Sequence, residues 1–572
     1  MKLSDYVVNF LSQHGVVHFF GYQGTNICHF VDSIARNPEV ANHSCYNEQG
    51  AAFAACGFAQ ASRQCAVAYA TGGPGAVNLL SGMADAYFDS LPAVFLTGQI
   101  NTGEYDANPL IRQHSFQEID IVDMASPITK YAVQLTDATR ARYELEKAWY
   151  TALSGRPGPV LIDLPMDVQR ADINPDSLEG FSVPDEYRST EQELDKAFES
   201  AISTAKRPVL LVGNGVSQEA FSLLRVFASH SNIPIITSVL ARQLMSADDP
   251  LNFGYIGGAY GHREANLIAG AKADLIIAVG ISLCSRQIGV GTDDFAPRAR
   301  LLHIDIEDQT SRRVIKQDAI NIKMDSCDAA KILSSVAAPD FADWLSICDE
   351  IRSYYRGFDD CTEGREPNQV VSELSSWVPA NTCIAVDVGQ HMMWVGQSFE
   401  IREGQHLLFS GGHGAMGYAI PAAIGAWYYS LKPVYCFVGD GGFQMNSQEL
   451  EWIARESLPI KIVVLNNKSL GMVRFQQSDL FAGDYEGTAL GYHYSVPDFV
   501  ALAQAYGIDA RRITATEEIG DQRMWFEGEG PRLLEVSLPN DSAAYPKTHF
   551  GDPIYDQEPR IPSEELERLL AL

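Results

Sequence analysis

The sequence is short of basic residues: 42 Lys and Arg stand against 72 Asp and Glu, a formal charge of −30. Nucleic acids and anionic membranes are held by clustered cations, so neither is expected as a partner, and the excess reads as a solvated acidic surface. Long apolar runs are missing too. No stretch reaches the roughly 18 apolar residues of a spanning helix. The Met1-Lys2-Leu3-Ser4-Asp5 start has no basic segment leading into an apolar one, so neither a membrane span nor a secretory leader is expected. The ten cysteines contain no CxxC pair, which fits reduced thiols in a cytoplasm. What is present is 572 residues, 46% of them hydrophobic, too many for one ordinary domain and enough to bury large cores.

One stretch carries the chemistry. The β-branched and aromatic run Val434 to Val438 breaks at Gly439-Asp440-Gly441-Gly442, which reads as a strand entering a tight turn. A helix is expected from Asn446 to before Pro459, then an apolar strand, Ile460 to Leu465, delivering Asn466-Asn467. Strand, turn, helix and strand make a right-handed βαβ unit, so Asp440 and Asn467 emerge at the carboxyl edge of one parallel sheet. Glycine amides and a helix N-terminus favour phosphate there. Asp440 adds hard anionic oxygen and Asn467 an amide oxygen, a set suited to Mg²⁺ or Ca²⁺ clamping a diphosphate. Taken alone, Gly-Asp-Gly is equally an ordinary βα turn.

The same alternation recurs along the chain. Val16 to Phe20 leads into Gly21-Tyr22-Gln23-Gly24, and Glu48 opens a helix of small residues (Ala54, Ala55, Gly57, Ala59, Ala61). By itself that glutamate reads as a carboxylate favoured by the helix dipole. A second set of strands is expected at Pro208 to Val212, Ile233 to Thr237, Asp274 to Val279 and Leu301 to Ile306. Its Gly213-Asn214-Gly215 is only a weak nucleotide signal. A third set begins at Ile384 to Asp387. The expectation is an α/β protein of three doubly wound parallel-sheet domains at residues 1–173, 191–337 and 368–541. A tail, 542–572, follows, and its Pro546, Pro553, Pro559 and Pro562 suggest extended chain.

With residues 442–465 between Gly-Asp-Gly and Asn-Asn, the stretch resembles the thiamine-diphosphate (ThDP) signature. FGYxG from Phe20, NEQGAA from Asn47, TGGPGAxN from Thr71, FQEIDIV from Phe116, SGRPGPVLIDLP from Ser154, DVGQHxMW from Asp387, GAMGY from Gly414 and GDGGFQMNxQEL from Gly439 follow the order of the acetolactate synthase branch of ThDP enzymes. They cover almost the whole chain. The resemblance implies pyrimidine-binding, central and pyrophosphate-binding domains. It assigns Glu48 to the pyrimidine N1′, the Gly414 carbonyl to the 4′-amino group, and Met416 to the wedge between the two cofactor rings. Asp440, Asn467 and the Ser469 carbonyl would hold Mg²⁺. Val388, Gly389, Gln390, His391, Gly441, Gly442, Leu470, Gly471 and Met472 would line the diphosphate and thiazolium. Phe116 and Gln117 match a pair near the donor 2-oxoacid, and Arg286 matches an arginine facing the acceptor. Read without the resemblance, these three are a helix start and a surface charge.

Arg156, Gly213 and Gly215 match the family's FAD site, where the flavin plays no redox part, but Ser282 stands where the family has a flavin-contacting arginine. Met166 and Gln476 replace a lysine and a tryptophan on the substrate side, and Thr25-Asn26 replaces a glycine pair. The implied activity is decarboxylation of a 2-oxoacid, pyruvate first, with transfer of the hydroxyethyl unit to a carbonyl acceptor. The implied assembly is a homodimer or homotetramer with the cofactor between the first domain of one subunit and the third of another. A nucleotide keto-sugar acceptor, a simple decarboxylase and an aldehyde lyase remain open. So does a catalytically silent scaffold, against which the retention of Glu48, Asp440 and Asn467 speaks.

Overall fold

The computed structural model describes residues 1–105, 111–184, 188–308 and 315–572. Parts of the polar loop 101–114 and of the connector 174–190 lie outside the described residues. Continuous Val, Ile and Leu runs form strands buried on both faces, as in Pro208–Val212 and Ile460–Asn466, the pattern of parallel sheets covered by helices. There are three six-stranded sheets of parallel pairs. The first holds β1 (His18–Gly21), β2 (Ala41–Ser44), β3 (Ala66–Ala70), β4 (Ala93–Gln99), β5 (Tyr131–Gln134) and β6 (Pro159–Pro165). The second holds β7 (Pro208–Val212), β8 (Ile235–Thr237), β9 (Asn252–Tyr255), β10 (Leu275–Val279), β11 (Arg300–Asp305) and β12 (Ile320–Lys323). The third holds β13 (Cys383–Val386), β14 (His406–Phe409), β15 (Val434–Gly439), β16 (Ile460–Asn466), β17 (Asp509–Ile513) and β18 (Arg532–Ser537).

Strand order fixes where ligands can enter. The first and third sheets run β2-β1-β3-β4-β6-β5 and β14-β13-β15-β16-β18-β17, while the second runs β12-β11-β10-β7-β8-β9. In open α/β sheets the crevice opens where the order reverses, beyond the carboxyl ends of the strands. That point is β13/β15 in the third sheet and β7/β10 in the second.

The first and third sheets belong to one compact unit; the second sheet and the tail from Asp541 belong to another. In the former, the helices Glu48–Ser62 and Ala419–Ser430 touch backbone to backbone. A Cβ at Gly57 would lie 2.2 Å from the Ala422 carbonyl oxygen, and one at Gly425 1.8 Å from that of Ala54. Small residues in both helices are therefore a packing requirement. In the latter, the tail is seated by side chains that donate to its backbone: Asn266 to Ile554 at 2.9 Å and Lys272 to Leu569 at 2.8 Å. Its end is not extended, because Leu566, Leu569 and Leu570 recur at helical spacing and Ser563–Ala571 is a helix. No described helix is long and apolar enough to cross a membrane.

One expectation about Gly439 to Gly442 is corrected. There is no glycine turn ahead of the helix: the helix Asp440–Met445 starts at Asp440 itself. None of these glycines has positive φ. Each is needed because its neighbours come too close for a Cβ.

Candidate active site

The β13/β15 crevice is built on two buried aspartates. Asp387, at the end of β13, accepts from Val388 and Gly417 amides at Oδ1 and from the Ala419 amide at Oδ2, each at 2.9 Å. Burial pushes it up to about 6 against the pull of those amides. It thereby fixes the loop carrying Gly414 and Met416. Gly442 makes room for it, since a Cβ there would lie 2.4 Å from Asp387 Oδ1. Sequence reasoning used Asp387 only as a strand end; its position directly before the Val-Gly-Gln-His run was the available signal.

Asp440 is 2% exposed. Its Oδ1 accepts from the Gly441 amide at 2.7 Å and the Tyr494 hydroxyl at 2.9 Å, and its Oδ2 accepts from the Ser469 amide at 2.9 Å. Burial raises it to about 6, opposed by Tyr494 and these amides. Asn467 donates from Nδ2 to Gln390 Oε1 at 2.9 Å, which leaves its Oδ1 as the oxygen for a cation. Gly471 allows this approach, because a Cβ there would lie 1.8 Å from Gln390 Oε1. Asn540 donates to the Asn467 and Lys468 carbonyls at 2.9 and 3.0 Å and holds the loop in place. Met416 and Leu470 meet over Gly441, where a Cβ would lie 3.1 Å from Met416 Cε and 2.4 Å from Leu470 Cδ2. His391 packs its ring on Gly389 and Gly439. Burial drops it to about 3, and its Nε2 has no partner.

These residues fit the expected group. A raised, buried carboxylate, a neutral amide oxygen and an orphaned imidazole nitrogen suit a divalent cation carrying phosphate oxygens. Among the described residues no three His, Cys, Asp or Glu converge on a common point. A cation here would therefore complete its shell from backbone and phosphate oxygen.

Glu48 sits at the opening of its helix in the first sheet's layer, with Asn47 as N-cap accepting from the Gln49 amide at 2.8 Å. It is buried, its Oε2 accepts from Asn78 Nδ2 at 3.0 Å, and a Cβ at Gly75 would lie 2.9 Å from Oε1. The residue that sets this turn was not foreseen. Glu449 is fully buried and accepts from the amides of Tyr46 at 3.2 Å and Asn47 at 3.0 Å. Burial pushes it up to about 7. A Cβ at Gly50 would lie 2.6 Å from its Oε1. Asn446 adds a second tie, donating to Gln49 Oε1 at 3.2 Å and the Gly417 carbonyl at 2.8 Å.

The structure thus gathers residues 387–391, 414–417, 439–442 and 467–472. Glu48 hydrogen-bonds to Asn78, while its neighbour Gln49 is tied through Asn446 to Gly417. Phe116 is 83% exposed. Gln117 has φ +64° and lies against Gly73, whose Cβ would be 2.8 Å from the Gln117 carbonyl oxygen. Arg156 donates to Ser90 Oγ at 2.6 Å and the Phe88 carbonyl at 3.3 Å, at the end of the helix Pro74–Asp89. Arg286 is exposed on the short helix Ser285–Ile288 of the other unit. There too, the Gly213 amide donates to the Val279 carbonyl at 2.9 Å and the Gly215 amide to Gly280 at 3.0 Å. A Cβ at Gly213 would lie 2.0 Å from the Gly280 oxygen. Both positions leave little room for a Cβ.

Three family models divide the chain. Residues 1–124 match the N-terminal TPP binding domain of thiamine pyrophosphate enzymes, residues 195–333 their central domain, and residues 387–536 their C-terminal TPP binding domain. The protein is a ThDP-dependent enzyme of three-domain α/β type. Among its relatives are the acetolactate synthase large subunit of Corynebacterium glutamicum, 35% identical over 93% of this chain and 86% of that protein, and the acetolactate synthase isozyme 2 large subunit of Escherichia coli, 34% identical over 94% and 96%. The Lactococcus lactis large subunit is 31% identical over 96% of this chain and 94% of its own. The chain belongs to the acetolactate synthase family.

Proposed function

We propose that this enzyme decarboxylates pyruvate and transfers the remaining two-carbon unit to a carbonyl acceptor, with ThDP held through Mg²⁺. The observation that carries this reading is the Asp440, Asn467 and His391 group, oxygen-rich and short of one counter-charge. Asp440 Oδ2 and Asn467 Oδ1 would hold the cation with the Ser469 carbonyl, and the residues around His391 would hold the diphosphate. Bound ThDP supplies the electron sink for the carbanion left when the donor loses CO₂. Glu48 holds and moves the proton. Asn78 fixes its Oε2, which leaves Oε1, against Gly75, as the oxygen that protonates and deprotonates. Met416 and Leu470 form an apolar wall over Gly441 that keeps water from the reacting carbon.

Phe116, a large apolar side chain, stands exposed, which supports a homodimer or homotetramer in which a partner completes each site. Light scattering that found a fully active monomer would refute it. The expectation of FAD rests on the resemblance alone, carried by Arg156, Gly213 and Gly215. The ten free thiols support a cytoplasmic location.

The acceptor is set by residues that differ from the resembled synthases. Met166 is half-buried and Gln476 exposed, in place of a lysine and a tryptophan. Losing a cation and a stacking surface shifts selectivity by on the order of 1–3 kcal/mol. Pyruvate is thus expected to release CO₂ but to condense with itself more slowly than with another carbonyl compound, which labelled pyruvate and a panel of 2-oxoacids, aldehydes and nucleotide keto-sugars would reveal by product mass. Glu48→Gln tests the mechanism: a neutral amide cannot relay the proton, so turnover falls by about 10²–10⁴ with the fold intact. A variant keeping half its rate would contradict the assignment.

A further inference from the structure

The unit built on the second sheet contains a cavity of about 280 Å³ whose walls come from two distant stretches of chain. Arg263 and Tyr355 stand on the body side, and Tyr555, Gln557 and Ile561 on the tail side. Arg263 is 3% exposed and Gln557 2%. Arg263 donates from Nε to Asp359 Oδ1 and from Nη1 to the Gln557 carbonyl, both at 2.9 Å, while its Nη2 has no partner. Gln557 donates from Nε2 to the Gly261 carbonyl at 2.9 Å, while its Oε1 has no partner.

Charge is unbalanced in the same place. Asp359 also takes Arg365, whose Nη1 lies 2.9 Å from Oδ2, so one carboxylate serves two guanidiniums. A buried cation short of an anion and a buried carbonyl short of a donor line one cavity, and each is costly to leave unmade. Asp556 and Arg560 line the same cavity with the opposite balance: Arg560 is held by both Asp552 and Asp556, at 2.9 and 3.1 Å. That side disfavours a second anion and favours a hydrogen-bond donor. The two ring walls, Tyr355 and Tyr555, leave space for a short carbon skeleton.

We propose that this cavity binds a small carboxylic acid bearing a hydroxyl or ammonium group on the carbon next to its carboxylate. The carboxylate meets Arg263 Nη2, the donor meets Gln557 Oε1, and the carbon chain lies against the tyrosines. Such a ligand joins the tail to the body of its unit, adding to the backbone ties made by Asn266 and Lys272. Its binding therefore tightens the segment 554–566.

The test uses the full chain loaded with ThDP and Mg²⁺, titrated calorimetrically with L-lactate, L-alanine and acetate. Either lactate or alanine is expected to bind at one site per chain at least tenfold more tightly than acetate, and which of them does so distinguishes hydroxyl from ammonium. The same ligand is expected to slow hydrogen exchange across 554–566. Arg263→Met and Gln557→Leu each also cut a tie between tail and body, so hydrogen exchange of the unliganded variants first establishes that 554–566 stays seated; in a seated Gln557→Leu the acceptor is gone and lactate or alanine should fall to the affinity of acetate. Binding unchanged in Gln557→Leu, acetate binding as well as the other two, or no binding by any of them would overturn the proposal.

Discussion

Two crevices at equivalent places in two sheets look alike on paper and differ in what fills them. At β7/β10 a strand ends in Gly213-Asn214-Gly215, whose glycines yield to backbone: Gly213 and Gly215 donate to Val279 and Gly280, and a Cβ at Gly213 would strike Gly280. At β13/β15 a strand ends in Gly439-Asp440-Gly441-Gly442, and the glycines yield instead to side chains, Gly442 to Asp387 and Gly441 to Leu470 and Met416. The second crevice pairs two buried carboxylates, both lifted to about 6, with an imidazole nitrogen that has no partner among the described residues. A glycine motif at a topological switch point indicates a phosphate-carrying cation most directly where the space it clears is used by polar atoms with unmet needs.

The comparison can be broken by adding one methyl group on each side. Gly442→Ala would displace Asp387 and release the Gly417 and Ala419 amides, so ThDP affinity should drop at least a hundredfold, read by calorimetry. Gly213→Ala meets backbone and should cost about 1–3 kcal/mol of stability in a denaturant titration while leaving ThDP affinity unchanged. A loss of ThDP affinity there would erase the distinction. A smaller effect sharpens the account of Glu48. Burial holds Glu449 at about 7 in the folded chain against 4.5 when free. Between those values the folded chain keeps a proton that the unfolded chain has released, so stability falls as pH rises from about 4.5 to about 7, by up to about 1.4 kcal/mol per pH unit. Glu449→Gln should flatten that slope in melts recorded across the window.

Much of the fold was legible because parallel sheets leave continuous apolar runs. Pro208–Val212 was readable to the residue. The cofactor side was legible because Asp440 and Asn467 are separated by one βαβ unit, whose geometry is fixed. What stayed hidden acts through contacts distant in sequence. Glu449 reaches Tyr46 and Asn47 across some 400 residues, and Asp387 reaches Ala419 past an intervening helix, Gln390–Ser398, and β14. Gly441 and Gly442 looked like turn residues because glycine permits any φ, whereas here they are helical and small for the sake of their neighbours. The helical end of the tail was masked by its prolines, all of which precede Ser563.

The central claim is that Asp440 holds the cofactor through a cation, and ThDP titration of the wild-type chain and of Asp440→Ala, each with and without Mg²⁺, tests it most directly. The wild type should bind ThDP only when Mg²⁺ is present, and Asp440→Ala should not retain it in either condition while keeping the wild-type circular dichroism, although the Gly441 and Ser469 amides and the Tyr494 hydroxyl lose their acceptor. Unchanged ThDP affinity in Asp440→Ala would contradict the account.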